Sequence, residues 1–434
     1  MGIETITILI VVSMIVLMLL GVPLAWVTMT LAVGCTLFWL GPSGLPLVAS
    51  RVYGFVSEYV FVAVPLFVLM ACVLERSGVA QDLYRAMHIF AGGLPGGLAV
   101  QTTLVAVVMA AMTGIIGGEI VLLGLIALPQ MLKLNYDPKL AIGTICAGGS
   151  LGTMIPPSVV LILYGLTANV SISDLFLAGI TPGLLLCGLY IGYIIFRCWL
   201  NPALGPPAPI EDREMPWAEK VVLLKGLALP VMIIVWVLGS IYSGIASVTE
   251  SAAVGACGAI ASAAIRSELN WPMLKGALIQ TMTTVGILLW LAFGANALIG
   301  IYNIMGGTSY LRGLITGLPL EPLGIVMVMM VILVILGMFM DWIGILLLTM
   351  PIFVPVAKDL GFDPVWFGIL FCMNMQASYL TPPFGPAAFY LKSVAPPEID
   401  IQTIFKGVLP FVGLQLIGLF LILFFPDIAL WPIR

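Results

Sequence analysis

Charge is what this sequence has least of. Only 8% of its 434 residues are charged and 62% are hydrophobic, whereas a soluble domain carries about 25% charged residues. That excludes an ordinary soluble globule and implies a polytopic protein of the lipid bilayer. A single histidine, His88, and seven scattered cysteines show no CxxC or other metal-ligand spacing. A zinc or haem site is therefore not expected, and the cysteines read as small packing residues. No Lys or Arg falls in the predicted midplane of a span, and no nucleic-acid partner is expected. The opening run, "MGIETITILIVVSMIVLMLLG", lacks a basic leading region and is followed at once by another apolar run. It reads as an uncleaved first span rather than a secretory signal.

Apolar length is abundant, and it is punctuated. Runs that meet the requirement of about 20 apolar residues per span lie near 5–22, 24–40, 58–75, 139–166, 174–197, 222–241, 246–265, 276–298, 365–391 and 406–425. Two blocks, about 93–131 and 322–357, are too long for one span, and small or polar residues interrupt each: "MTGIIGGE" at 112–119 and "GMFMD" at 337–341. Both read as re-entrant hairpins, whose non-helical tips survive only when buried in protein or lining a cavity. The alternative is two ordinary short spans in each block. Segments 76–91 and 301–318 read as short amphipathic helices suited to the interface plane; Val79, Leu83, Met87 and Phe90 share one face of the first. Residues 201–220, "NPALGPPAPIEDREMPWAEK", form a polar, proline-rich linker between halves 1–200 and 221–434.

With the N-terminus outside and both hairpins re-entrant, twelve of the sixteen Lys and Arg fall on one side. Only Arg51, Arg312, Lys358 and Arg434 fall on the other. This positive-inside bias makes the linker cytoplasmic and the N-terminus periplasmic.

The chain also repeats itself. At an offset of 226 residues, "LNYDPKLAIGTICAGGSLGTMIPPS" (134–158) meets "LGFDPVWFGILFCMNMQASYLTPPF" (360–384) without a gap. Leu134, Asp137, Pro138, Cys146, Pro156 and Pro157 align with Leu360, Asp363, Pro364, Cys372, Pro382 and Pro383. The predicted topology runs the two copies in opposite directions. Inverted repeats with paired interrupted helices mark secondary transporters, with ligand sites near the bilayer midplane. The double prolines then end half-helices, freeing carbonyls for cations and N–H groups for anions. The first break is glycine-rich and the second amide- and hydroxyl-rich, so two related but non-identical sites are expected.

These residues resemble a known family. "VPLFVLMACVLERSG", "AGGSLGTMIPPSVVLILYGLTANVSISDLFLAGITPG", "SVTESAAVGA", "LGMFMDWIGILLLTMPIFVPVAKDLGFDPVWFGI" and "YLTPPFGPAAFYL" spread from residue 64 to 391. Together they look like the large membrane subunit of tripartite ATP-independent periplasmic (TRAP) transporters, the DctM-like proteins. The resemblance implies an all-α, inverted-repeat elevator transporter of the bacterial inner membrane, coupled to two or more sodium ions. It implies a separate small four-helix membrane subunit and a periplasmic substrate-binding protein as partners, with a small organic anion (a carboxylate or sulfonate) as substrate.

It also implies site residues. Asp341 is an acid inside an apolar hairpin, and intramembrane acids are expensive and commonly functional. With the carbonyl of Gly337 it is expected at a sodium site, alongside Gln376, Ser378 and Thr381 of the second break. Thr113, Gly114 and Gly117 of the first tip pair with Gly149, Ser150 and Gly152 of the first break. Asn374, Thr153 and Ser158 are expected to touch substrate; so are Glu119, an acid that departs from the small or hydroxyl residue usual in the family here, and the aromatics Trp342 and Tyr379 near the breaks, with Phe384 nearby. Each has a structural alternative: a hydrogen bond to a neighbouring helix for Asp341, close helix packing for Gly148 and Gly152, helix capping for Glu119, pocket walls or plain packing for the aromatics. Glu250, in "VTESAAVG", reads as structural.

Two other functions compete. A stand-alone sodium/dicarboxylate-type symporter would share this hairpin architecture. "GGSLG" matches GxSxG with Ser150 as nucleophile, but it lacks the strand–turn–helix context, and its only possible histidine is His88 near an interface. An enzyme is therefore not expected.

Overall fold

The computed structural model describes residues 2–87, 93–114, 117–207, 227–383 and 385–434. His88 and Phe90, most of the linker, and Phe384 lie outside the described residues. The first half runs α1 (Ile3–Leu19), α2 (Leu24–Trp39), α3 (Leu45–Val56), α4 (Ala63–Arg76), α5 (Val79–Met87), α6 (Gly97–Thr113), α7 (Gly118–Lys133), α8 (Pro138–Ser150), α9 (Val159–Ala168) and α10 (Ile172–Leu200). The second runs α11 (Ala228–Tyr242), α12 (Val248–Ile265), α13 (Trp271–Ile304), α14 (Gly307–Thr316), α15 (Pro322–Gly337), α16 (Trp342–Asp359), α17 (Pro364–Leu380), α18 (Pro386–Lys392) and α19 (Ile401–Phe424), with a short α20 (Asp427–Leu430). Among the described residues there is no strand, and six helical stretches are long and apolar enough to cross a membrane.

The 226-residue register extends well beyond the motifs that reveal it. Shifted by 226, the bounds of α1, α2 and α5 to α10 fall within four residues of α11, α12 and α14 to α19. One pair differs in kind. Residues 45–76, split into α3 and α4, correspond to the unbroken α13. Helix α3 has no counterpart among the expected spans: at 12 residues, with Arg51 inside it, it is too short and too polar to register as one. It packs along α13 instead.

The aromatic-Asp-Pro signature proves to be a helix start. Asp137 Oδ1 accepts from Leu140 N (3.0 Å) and Asp363 Oδ1 from Val365 N (2.7 Å), with Pro138 and Pro364 in the first turn. A short acceptor side chain satisfies an orphan N–H there, and proline lacks the N–H that would go unmade. Each helix then runs to a double proline. Helix α8 passes through a 3-10 turn at Leu151–Thr153 and α17 stops at Leu380; Pro156–Pro157 and Pro382–Pro383 are both cis. Glu250 completes a capping box on α12: Ser247 N donates to Glu250 Oε2 (2.7 Å) and Glu250 N to Ser247 Oγ (3.3 Å). This matches its structural reading.

Packing gathers most of the helices into two groups, which α16 bridges by packing on both α9 and α13. Helices α2, α3 and α4 pack on α13, and α12 packs on α4 and α11. Helices α6, α7 and α19 pack on α8, α15 and α19 pack on α17, and α10 packs on both α6 and α19. One long-range bond ties the two repeats, Tyr164 OH donating to the Pro364 carbonyl (2.7 Å), and another holds α17 to α19 within the second, Trp366 Nε1 donating to the Ile422 carbonyl (2.9 Å). Helix α5 is more buried than an interface helix needs to be, closing Val79, Leu83 and Met87 against its neighbours.

Candidate functional site

Helices α6 and α7 pack as a pair, with Gly114 and Gly117 where the first turn is expected, and α15 and α16 pack as a pair around 338–341. Both turns reach one cavity of about 460 Å³. Its opposite wall is α4, with Cys72 and Glu75, and one stripe of α13: Gln280, Thr284, Leu288 and Leu291. Positions three, four and seven apart share a helix face, which is why one stripe suffices.

The first turn is fixed by backbone. Gly114 sits at φ +59°, and its carbonyl accepts from Val159 N (3.2 Å), the second amide after the double proline. A Cβ on Gly114 would run into the Pro157 carbonyl. This turn therefore needs glycine twice over, for its left-handed backbone and for its close approach to the break. The bond also consumes an N–H expected to face an anion. Break hydroxyls are spent locally as well: Ser150 Oγ donates to the Ala147 carbonyl (2.8 Å), Thr153 Oγ1 to Ser150 (3.0 Å) and Ser158 Oγ to Thr153 (2.7 Å). In the second break, Ser378 Oγ donates to the Asn374 carbonyl (3.1 Å) and Thr381 Oγ1 to Ala377 (2.6 Å). Such back-bonding satisfies hydroxyls while leaving carbonyl lone pairs behind.

Of the sequence-predicted site residues, Thr113, Gly114, Gly117, Glu119, Asp341, Trp342 and Tyr379 line this cavity. Gly149, Ser150, Gly152, Thr153 and Ser158 form the buried layer behind the first turn. Gly337, Asn374, Gln376 and Ser378 form the layer behind the second, with Thr381 at its edge. A Cβ on Gly152 would stand 2.9 Å from Glu119 Oε1, and one on Gly337 would overlap the Ser378 side chain. Asn374 Nδ2 donates to the Met330 carbonyl (2.8 Å), while its Oδ1 and both amide atoms of the fully buried Gln376 have no partner. Ser150, the would-be nucleophile, is buried and accepts from Gln415 Nε2 (3.1 Å).

The carboxylates differ in surroundings. Glu119, 1% exposed, accepts from Thr113 through Oε1, and its Oε2 has no partner among the described residues. Thr113 has one hydroxyl proton, and the Met109 carbonyl also lies within reach of it (3.0 Å), so Glu119 is poorly satisfied. Asp341 opens onto the cavity and caps α16, with Oδ2 accepting from Ile343 N (3.1 Å). Oxygen donors of this kind suit hard cations, and no Lys, Arg or His stands among the described lining residues.

Sequence reasoning passed over three lining residues. Glu75 accepts from Gln280 Nε2 (3.3 Å), and Gln280 Oε1 accepts from Arg76 Nη2 (2.8 Å). Tyr390 stacks on Tyr379 with centroids 6.4 Å apart, and a Cβ on Gly117 would be 3.0 Å from its ring. The available signals were an acid–arginine pair closing an apolar helix and a lone glutamine inside another.

Comparison with known proteins agrees with the architecture. Residues 11–428 match the family described as the tripartite ATP-independent periplasmic transporter, DctM component. The chain is 28% identical over 442 residues to the C4-dicarboxylate TRAP transporter large permease protein DctM of Vibrio cholerae, covering 96% of this chain and 94% of that one. It is 29% identical over 415 residues to the isethionate TRAP transporter permease protein DctMQ of Oleidesulfovibrio alaskensis, covering 95% of this chain and 64% of that one. The crystal structure of the Alcanivorax borkumensis YdaH transporter superposes with a TM-score of 0.62 at 18% identity, covering 90% and 89% of the two chains. That likeness concerns the fold alone. The chain belongs to the DctM family of TRAP transporter permeases, which are membrane transporters and not enzymes.

Proposed function

We propose that this chain is the large transmembrane subunit of a sodium-coupled secondary transporter that imports a small organic anion. It works with a small four-helix membrane subunit and a periplasmic binding protein in a bacterial inner membrane. One observation carries the coupling: Glu119 and Asp341, one from each turn, meet Glu75 in a single cavity without a basic side chain among its described lining. A buried carboxylate with an unpartnered oxygen is costly unless a counter-charge joins it. Such a site recruits cations first, and the anion follows the charge they bring. Asp341, and Glu119 with Thr113, are the ion-holding groups on this reading; the tyrosine pair and Trp342 wall the substrate space.

The two packing groups suggest how access alternates. The turns and breaks belong to one group and the α4–α13 wall to the other, so the cavity lies on the boundary along which an elevator would slide. In this reading the turns are re-entrant tips, the halves run antiparallel and the N-terminus is periplasmic. Sodium entry down a membrane potential supplies about 2.3 kcal/mol per charge per 100 mV. Reconstitution with the binding protein and the small subunit tests all of this. Uptake is expected to require both an inward sodium gradient and the binding protein. Uptake without a binding protein would favour the stand-alone symporter, and uptake without sodium would sink the coupling.

A further inference from the structure

A second cavity, of about 550 Å³, lies toward the other end of α13, lined by Ser50, Arg51, Glu58, Asn296, Gly300 and Asn303 among others. Arg51 of α3 is the one basic residue in its described lining. The side chain lies across α13 where the helix has no side chain of its own: a Cβ on Gly300 would be 2.8 Å from Arg51 Cδ and 2.9 Å from Nε. The stem and Nε thus rest against the bare backbone of Gly300, and the residue lines the cavity.

Arg76 has the same arrangement at the opposite end, where a Cβ on Gly276 would be 2.8 Å from its Nη1. The two glycines are 24 residues apart on one unbroken helix, about 36 Å at 1.5 Å per residue. That exceeds the roughly 30 Å of a bilayer's hydrocarbon core, so the two arginines stand at opposite faces. Their partners differ. Arg76 is held by Gln280 through both Nε and Nη2. Arg51 makes no hydrogen bond or ion pair among the described residues, although Glu58 lines the same cavity. Further donors flank it: Asn303 accepts from Thr308 through Oδ1, and among the described residues neither its Nδ2 nor the Ser50 hydroxyl has a partner.

We propose that this cavity is an anion subsite, in which Arg51, Asn303 and Ser50 hold the carboxylate or sulfonate of the solute before it reaches the turns. A guanidinium presents a planar fork that matches such a group with two parallel hydrogen bonds. The described lining of the cavity at the turns holds no Lys, Arg or His, so Arg51 supplies the attraction for an anion that the acidic site lacks. The ligand class rests on the transport reading above; the geometry of Arg51 does not.

The test uses the full-length chain in nanodiscs of phosphatidylcholine alone. Phenylglyoxal modification of Arg51 is read by peptide mass spectrometry in succinate, isethionate or chloride at equal ionic strength. Succinate or isethionate is expected to slow modification of Arg51 about threefold or more relative to chloride, with Arg312 unaffected. Arg51→Lys and Arg51→Gln are expected to raise the KM for sodium-driven uptake about tenfold at similar kcat. Equal modification in all three anions, or an unchanged KM, would overturn the subsite and leave sodium-driven transport standing. Protection that appears only when phosphatidylglycerol is added would make the occupant a lipid phosphate and also overturn it. Protection of Arg51 without any sodium-driven uptake would instead overturn the transport reading.

Discussion

The two halves solve the same problem in different materials. In the first, hairpin and break meet through backbone: Gly114 against Pro157 and its carbonyl on Val159 N, with Gly152 making room for Glu119. In the second, side chains do the joining: Gly337 against Ser378, Asn374 reaching the Met330 carbonyl, Asp341 capping its own helix. The register shows how directly one replaces the other. Gly148, Ser150 and Gly152 stand where the second half has Asn374, Gln376 and Ser378, and Ala111 stands where it has Gly337. The small residue has moved from break to hairpin while the fold around it stayed. The acids moved as well: Glu119 is the second residue of its helix, and Asp341 is the cap before its own. A duplicated scaffold can therefore keep its geometry while its two sites come to differ in chemistry.

The largest effect expected is on the second turn. Asp341→Ala should abolish sodium-dependent uptake while leaving subunit assembly intact; it should also lose about 1 kcal/mol of stability with the cap. Asp341→Asn keeps a capping side chain and removes the charge, so uptake should fail with the thermal midpoint nearly unchanged. Unchanged sodium dependence in both variants would refute the site. Next comes the backbone-built turn. Gly114→Ala should cost roughly 1–3 kcal/mol, from a strained φ and a clash that the Pro157 carbonyl cannot yield to; thermal unfolding in detergent measures it. Gly337→Ala should cost about as much by overpacking, but here a side chain is the obstacle. Ser378→Gly in the same chain should recover most of the loss, since the pair then copies Ala111 and Gly152. No recovery would mean the two halves are not interchangeable at this contact.

A smaller change is expected from Glu119→Gln. The amide keeps the size and the Thr113 contact, so the fold should hold, while the sodium concentration for half-maximal uptake rises about tenfold. An unaltered sodium midpoint would leave Glu119 with its Thr113 contact alone. Least of all, Glu250→Ala should lower the thermal midpoint slightly and leave uptake as it was, because its carboxylate serves only the capping box.

Several of these contacts were legible from sequence because they are local. Aromatic-Asp-Pro is a cap and a first-turn proline, and a double proline stops a helix wherever it occurs. The repeat needs only a self-comparison. What could not be read was who meets whom. Glu75, Gln280 and Tyr390 belong to segments more than a hundred residues apart, and their meeting has no local signature. The carbonyl of Gly114 reaching Val159 N is a backbone event with no side-chain signature. Helix α3 hid for another reason: it is too short to carry a span's hydropathy, and its position depends on α13 offering a groove.

That α13 runs unbroken, where its counterpart is split into α3 and α4, has a mechanical consequence. A helix hydrogen-bonded along its whole length resists compression and bending, whereas a chain interrupted at 57–62 can hinge. The first half thus contributes a jointed limb and the second a rod, laid side by side. On the transport reading proposed above, the turns move against that rod, and the 24 residues from Gly276 to Gly300 set the distance between its Arg76 and Arg51 ends.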